Sequence, residues 1–202
     1  IDHPVEMGNF TLARFTACGV PHDIAITGQH DCDLERLSTD LRRICEWQIR
    51  FFGEPAPMQR YTFLLMAVGA GYGGLEHRAS TALLCSRNDL PHRGMTGLSE
   101  GYRTFLGLCS HEYFHTWNVK RIKPAAFIPY DLDRENFTTL LWVFEGFTSY
   151  YDDLMLLRSG CITLADWLDA TAKTLSNVAR APGRRRQTLA ESSFDAWSKF
   201  YR

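Results

Sequence analysis

The apolar run YTFLLMAV, residues 61–68, decides the fold, because no charged side chain interrupts it. A continuous run of this length is typical of a central strand that is covered on both of its faces. The glycine-rich stretch at 69–74 follows it and predicts a turn, and the segment TALLC at 81–85 predicts another short strand. These segments place a sheet in the first half of the chain.

Two more strands and one helix are predicted upstream of this run. Residues 10–15 and 24–27 contain alternating apolar and β-branched residues, as strands do. Apolar residues then recur with helical spacing over 34–45, and either Asp31 or Asp33 can cap the helix.

The second half of the chain is predicted to be helical. Caps, breakers and apolar spacing indicate three helices, over 98–118, over 134–158 behind a cap at Asp133, and from Thr163 to a point before Pro182. A sheet followed by helices is the pattern of an α+β domain with segregated layers. We therefore expect a small N-terminal sheet in residues 1–95 and a helical lobe in residues 96–202.

The composition is that of an ordinary globular protein. The chain has 202 residues, of which 45% are hydrophobic and 22% charged, with a net charge of −1. This balance gives no electrostatic basis for binding nucleic acid or an anionic membrane. The longest uncharged run, residues 61–75, is too short and too rich in glycine to span a bilayer. Six scattered cysteines favour a reducing compartment, so we expect a cytoplasmic protein.

The chemistry is concentrated in the HExxH sequence His111-Glu-Tyr-Phe-His115, within a predicted helix. Residues four apart on a helix lie about 40° from each other, so both imidazoles can reach one metal ion. Zinc favours neutral imidazole nitrogens, and Glu112 stands where it can reach a water at the metal without ligating it. The apolar neighbours argue against a surface helix, because buried histidines and a buried glutamate need partners. We predict one Zn²⁺ here.

A catalytic zinc site needs a third protein ligand and an open fourth position. Glu145, in the largely apolar segment LWVFEGFTSY of the next predicted helix, is the candidate, although an ion pair with an arginine is the alternative. Cys109 faces the other side of its helix. Asp152 lies seven residues after Glu145 and can accept the second N–H of a ligand histidine, with Ser149 and Asp153 as rivals for that role.

A further candidate site is GYGGLEH, residues 71–77. Its glycines allow an extended peptide to approach the backbone closely, as along a sheet edge. Glu76 then offers a carboxylate to the cationic α-amine of a substrate. The alternative is a simple glycine-rich turn with an exposed glutamate.

Three segments together resemble a known family. They are HEYFHTWNVKRIKP at 111–124, EGFTSYY at 145–151 and GGLEH at 73–77. In this order they are similar to the M61 metallopeptidases, the glycyl aminopeptidase family of gluzincins related to the M1 aminopeptidases. The resemblance implies a thermolysin-like zinc peptidase catalytic domain. In that family it is flanked by an N-terminal β-rich domain and a C-terminal PDZ-like domain.

The resemblance also implies roles for individual side chains. Glu112 would be the general base, and three residues would bind the zinc ion: His111, His115 and Glu145. A second group would bind the peptide substrate, with Glu76 taking its amine: Glu76, Gly73, Gly74 and His77. His77 replaces the asparagine usual in the M1 version of this motif, so only a weak substrate contact is carried over to it.

The family places an oxyanion-stabilising tyrosine some tens of residues after the glutamate ligand, in a Tyr-x-Lys-Gly-like segment. Tyr150, Tyr151 and Tyr201 stand in no such context, so we expect this tyrosine beyond residue 202. The chain also lacks an initiator Met. These features predict a catalytic core that is cut from a longer protein and incomplete at its C-terminus.

The predicted function is a zinc-dependent aminopeptidase that hydrolyses N-terminal residues, small ones such as Gly or Ala by the family name, from peptides. The alternatives are a zinc hydrolase of a non-peptide substrate and a catalytically inactive peptide-binding fragment. The sequence leaves the oligomeric state open. For Lys120, Arg121 and Lys123 the alternatives are binding of a substrate carboxylate and a solvated loop, of which we favour the loop. The remaining histidines match no motif and are predicted to lie on the surface: His3, His22, His30 and His92.

Overall fold

The computed structural model describes residues 3–201 and contains a five-stranded sheet followed by a set of helices. The strands are β1 (Thr11–Ala17), β2 (Val20–Thr27), β3 (Tyr61–Val68), β4 (Tyr72–Glu76) and β5 (Ser80–Ser86). The α-helices are α1 (Leu34–Phe52), α2 (Glu100–Phe114), α3 (Phe147–Arg158), α4 (Leu164–Arg180) and α5 (Leu189–Lys199). Only α1 interrupts the order of sheet first and helices second.

The sheet has the strand order β1-β2-β3-β5-β4. The three inner strands β2, β3 and β5 are parallel, and the outer strands β1 and β4 pair with their neighbours antiparallel. The predicted turn over 69–74 is wrong in its second part, because Gly73 and Gly74 belong to β4 and pair with Leu84 and Leu83. Backbone hydrogen bonds to β5 form this strand even though glycine contributes no side-chain packing.

The central strand β3 is buried on one face only. Its buried side chains alternate, at Tyr61, Phe63, Leu65 and Ala67, whereas Met66 is half-exposed. The prediction that both faces are covered is therefore wrong for the described residues. The apolar run alone does not show how many faces of the strand are covered. In the structure the helices lie against a single face of the sheet.

Helix α1 packs its apolar stripe against that covered face. Of the two capping candidates it is Asp33 that accepts a hydrogen bond from the backbone N–H of Arg36. The helix ends at Gly53, whose φ of 98° is readily adopted only by glycine. Leu37, Leu41 and other residues of the stripe are fully buried.

The helix predicted over 134–158 does not begin at Arg134. Residues 134–140 are not helical, and a π-helical turn at Trp142–Gly146 leads directly into α3. The physical reason lies in Asn136, whose Oδ1 accepts from the backbone N–H of Asp131 and whose Nδ2 donates to the Asp131 carbonyl. Such side-chain bonds satisfy backbone groups outside a helix. The sequence analysis also missed α5.

The prediction that His22 lies on the surface is also wrong, because its side chain is completely buried. Its Nδ1 lies 2.9 Å from the carbonyl oxygen of Val20, and its Nε2 lies 2.9 Å from the hydroxyl of Tyr113 on α2. This bridge ties strand β2 to the helix that carries the HExxH sequence. Within residues 3–201, none of the helices combines the length and apolar character needed to cross a bilayer.

Candidate metal and peptide-binding site

Helix α2 presents the HExxH sequence at its C-terminal end. Ser99 caps its first turn, and the helix ends at Phe114, four residues before the predicted end at 118. His115 therefore stands at the C-cap rather than inside the helix. Its position still directs both imidazoles to one point, because the Nε2 atoms of His111 and His115 lie 3.0 Å apart.

The π-helical turn Trp142–Gly146 supplies the third side chain of this cluster. Oε2 of Glu145 lies 3.2 Å from Nε2 of His111, and Oε1 lies 3.7 Å from Nε2 of His115. π-Helical turns are rare and are frequently found at functional sites. The apolar composition of the segment LWVFEGFTSY does not make it a buried one, because Trp142 and Phe147 are exposed and only Phe144 and Thr148 are buried.

Both histidines are oriented through their other ring nitrogen. Nδ1 of His111 lies 2.9 Å from Oδ2 of Asp152, and Nδ1 of His115 lies 2.8 Å from the backbone oxygen of Asn118. Because both partners are acceptors, each Nδ1 carries the proton and each Nε2 points into the cluster. Of the three rivals for the contact with His111, the structure therefore brings Asp152 to the imidazole.

The charges in this cluster favour a bound cation. Burial alone would lower the pKa of His111, but hydrogen bonds to Asp152 and Glu145 and their charges raise it to about 10. Burial would likewise raise the pKa of Glu145, yet the hydrogen bond from His111 and the charges of both histidines lower it. The carboxylates of Asp152 and Glu145 thus stabilise positive charge at this cluster, which a bound metal cation would also carry.

These donors fit a zinc ion. The three ligand atoms lie within 4.8 Å of one another. Tetrahedral zinc with bonds of about 2.0–2.1 Å separates its ligand atoms by about 3.3 Å, and the separations between the cluster's atoms lie close to that value. Two histidines and one glutamate form the ligand set of catalytic zinc sites that keep a fourth position open.

Glu112 lies beside the cluster and is nearly fully buried. Its Oε2 atom has no hydrogen-bond partner within residues 3–201. Burial raises the pKa of Glu112 to about 8; the charges of His111 and Lys120 lower it, while those of Glu76 and Glu145 raise it. A buried carboxylate with an unused oxygen can exchange a proton with a molecule bound in the cavity.

A cavity of about 1220 Å³ opens over these groups. Strand β4 contributes Tyr72, Gly74 and Glu76 to its wall, and the loop after α2 contributes Lys120 and Lys123. Glu76 and Lys120 form an ion pair with Oε1 and Nζ 3.5 Å apart, both side chains being about four-fifths buried. An extended strand edge, an acidic group and the metal cluster thus face one space.

Some predicted site residues do not reach this cavity. Gly73 and His77 neighbour Gly74 and Glu76 in the chain, but neither lines the cavity. Leu75, which stands between Gly74 and Glu76, also lines the cavity, so the alternation of side chains along a strand does not by itself decide which residues of GGLEH reach it. The structure brings Gly74 and Glu76, but not these two, to the site.

The basic loop after α2 is not simply solvated, contrary to prediction. Lys120 and Lys123 line the cavity, with Nζ of Lys123 5.0 Å from the centre of the Tyr130 ring. Arg121 donates hydrogen bonds to the backbone oxygens of Thr116 and Pro57. The contact between Arg121 and Pro57 joins residues 64 positions apart, so only tertiary structure reveals it.

The sequence analysis sets Tyr201 aside because its sequence context does not match, and it gives no role to Tyr72 or Asn118. Tyr72 and Tyr201 line the cavity, and burial raises the pKa of each to about 12, with the charge of Glu112 adding to the shift. Tyr72 could have been found as the residue two positions before Gly74 on the same strand face. Asn118 carries no sequence signal beyond its place three residues after His115.

The chain is similar to known aminopeptidases. Residues 104–202 match the family model of the M61 glycyl aminopeptidases. The crystal structure of an aminopeptidase N family protein from Idiomarina loihiensis matches 96% of this chain with 51% identity and a TM-score of 0.94. This chain spans 33% of that protein. These matches confirm the resemblance that the three motif segments indicated.

A more distant structure shares the fold alone. Legionella pneumophila aminopeptidase A, crystallised in complex with aspartic acid, matches 75% of this chain with 18% identity and a TM-score of 0.52. The matched part is 17% of that protein. No curated protein matches the chain.

Proposed function

Because the chain belongs to the M61 glycyl aminopeptidase family, we propose that it carries the catalytic centre of a zinc aminopeptidase. The observation that carries this proposal is one cavity faced by the His111–His115–Glu145 cluster, by the unpartnered oxygen of Glu112 and by Glu76. In this proposal the substrate is a peptide, from which one small N-terminal residue, Gly or Ala, is removed. In this proposal the sheet and helices form a thermolysin-like catalytic domain.

Different residues of the cavity have different roles in this reaction. Glu76 binds the α-ammonium of the substrate and so places the first peptide bond at the metal cluster. Glu112 accepts a proton from the attacking water and gives it to the leaving amine. Asp152 and the backbone oxygen of Asn118 hold the two imidazoles in the orientation that directs Nε2 to the metal. A zinc ion held there would supply the Lewis acidity that activates water near neutral pH.

The first test is metal content. We expect about one zinc per chain by elemental analysis, and loss of this zinc in His111→Ala, since three ligands are the usual minimum for a catalytic site. The matched control is His92→Ala, which removes an exposed histidine and should retain the metal. Zinc-free wild-type protein after dialysis against zinc would contradict the metal assignment.

The second test is turnover. Glu112→Gln should keep the zinc and lower the hydrolysis of glycyl and alanyl anilides by at least about 10²-fold, the usual contribution of a general base. N-acetylated versions of the same anilides should resist the wild-type protein, because they lack the cation that Glu76 binds. Equal cleavage of blocked and free substrates would favour a hydrolase without aminopeptidase character.

A further inference from the structure

Asn118 lies in the loop directly after α2 and is nearly fully buried. We propose that Asn118 is a positioning residue that couples the two halves of the metal site, the HExxH helix and the π-helical turn that carries Glu145. This inference rests on the proposed zinc site, because a coupling residue matters only if both halves hold one ion. Asn118 touches neither the substrate cavity nor the metal cluster with its side chain.

The first half of the coupling uses the backbone of Asn118. Its carbonyl oxygen accepts the hydrogen bond from Nδ1 of His115 at 2.8 Å. This bond fixes the ring plane of His115 and leaves Nε2 facing the cluster. Because a backbone atom makes it, replacing the Asn118 side chain leaves it in place.

The second half uses the side-chain amide. Nδ2 of Asn118 lies 3.3 Å from the carbonyl oxygen of Val143, 3.4 Å from that of Phe144 and 3.0 Å from Oγ1 of Thr148. Val143 and Phe144 immediately precede Glu145, so the amide holds the backbone from which the third ligand extends. Two N–H groups thus serve three acceptors around the π-helical turn.

The burial of this amide shows that the contacts are specific. An amide that is removed from water must find hydrogen-bond partners, or it costs about 1–3 kcal/mol. Thr148 is completely buried and also donates to the Phe144 carbonyl. The Asn118 amide therefore cannot exchange these partners for water. Its hydrogen bonds fix the position of the π-helical turn relative to His115.

The experiment compares Asn118→Ala with Tyr102→Phe. Tyr102 is also fully buried, and its hydroxyl donates to the carboxylate of Asp40 on α1 at 2.9 Å. Tyr102→Phe therefore removes a buried hydrogen bond from the same helix without touching the turn that carries Glu145. Zinc affinity is measured by competition with a chromogenic chelator, and the site geometry by the visible spectrum of the cobalt-loaded protein.

We expect Asn118→Ala to bind zinc about 10–100-fold more weakly, the range for residues that orient metal ligands, and to show an altered cobalt spectrum. Tyr102→Phe should unfold at a lower temperature but retain zinc affinity and spectrum. Wild-type affinity and spectrum in Asn118→Ala would overturn the inference, as would an equal loss in both variants. Wild-type protein that binds no zinc would instead overturn the proposed function on which the inference rests.

Discussion

Gly74 on β4 packs directly against the carboxylate of Glu112 on α2. A β-carbon at position 74 would overlap the carboxylate oxygen of Glu112 and lie only 2.7 Å from its Cγ. At Gly73, the preceding residue of the same strand, a β-carbon would meet no atom within 4 Å. The backbone of the edge strand thus sets how far the Glu112 side chain can extend.

This contact predicts that Gly74→Ala lowers kcat by about 10²-fold, because the displaced carboxylate loses its general-base position. Zinc content should stay near one per chain, since Gly74 contacts no metal ligand. The measurement is steady-state hydrolysis of glycyl anilide together with elemental analysis. Gly73→Ala is the matched control and should retain wild-type kcat. Full activity in Gly74→Ala would contradict the assigned position of Glu112.

Asp152 provides a test of the buried hydrogen bond to His111. Removing its carboxylate in Asp152→Ala should weaken zinc binding by about 10–100-fold, because the ligand imidazole loses its orienting acceptor. Asp153→Ala is the control, because the neighbouring carboxylate makes no contact with His111 among the residues 3–201. Chelator competition on both variants measures the effect. Similar affinities in the two variants would show that the contact does not support the metal.

The local parts of the site could be predicted from the sequence. The helical repeat places His111 and His115 on one face, and the seven-residue interval from Glu145 places Asp152 two turns further along the same face. These relationships survive the correction of the helix boundaries, because His115 keeps helical backbone angles at the C-cap and the π-helical turn that carries Glu145 leads directly into α3. The structure shows the His111–Asp152 contact at 2.9 Å.

The remaining parts depend on tertiary structure or on local competition for hydrogen bonds. Asn136 forms side-chain bonds to the backbone of Asp131, which replace the first turns of a predicted helix. The pair of Glu76 and Lys120 joins an edge strand to a loop 44 positions later, and no periodicity predicts that meeting. The sequence predicts a surface position for His22, because nothing near this histidine in the chain indicates its hydrogen bond with Tyr113, 91 positions later.

His22 predicts how stability depends on pH. Burial lowers its pKa to about 4 in the folded protein, although the hydrogen bond to Val20 and the charge of Asp23 oppose this shift. Neutral His22 therefore stabilises the folded protein fully at pH values above its pKa in the unfolded chain. This stabilisation is lost as the pH falls toward the pKa of His22 in the folded protein. Between pH 7 and pH 5 the free energy of unfolding should drop by about 2 kcal/mol from this group alone.

Urea denaturation at pH 7 and pH 5, in wild type and in His22→Gln, measures this contribution. The variant should be less stable at pH 7, because Tyr113 loses a partner, and should show a smaller drop at pH 5. The exposed His92 supplies the control, and His92→Gln should keep the full drop. An undiminished drop in His22→Gln would show that other groups cause the acid sensitivity.

Lys120 predicts the affinity of the cavity for amines. Its ammonium pairs with Glu76 at 3.5 Å, so the substrate's α-ammonium must compete with it for the same carboxylate. Lys120→Met should therefore bind glycinamide, tested as a competitive inhibitor, about 2–5-fold more tightly, which corresponds to an ion pair of up to about 1 kcal/mol.

Lys123→Met is the matched control, since its ammonium lies over the Tyr130 ring and it lines the same cavity. This variant should leave the inhibition constant of glycinamide unchanged. Weaker binding of glycinamide in Lys120→Met would mean that Lys120 supports the ligand rather than competing with it. If glycinamide binds more tightly to both lysine variants by the same factor, the cause is the net charge of the cavity and not the pairing with Glu76. Only a change confined to Lys120→Met assigns the competition to the Glu76 carboxylate.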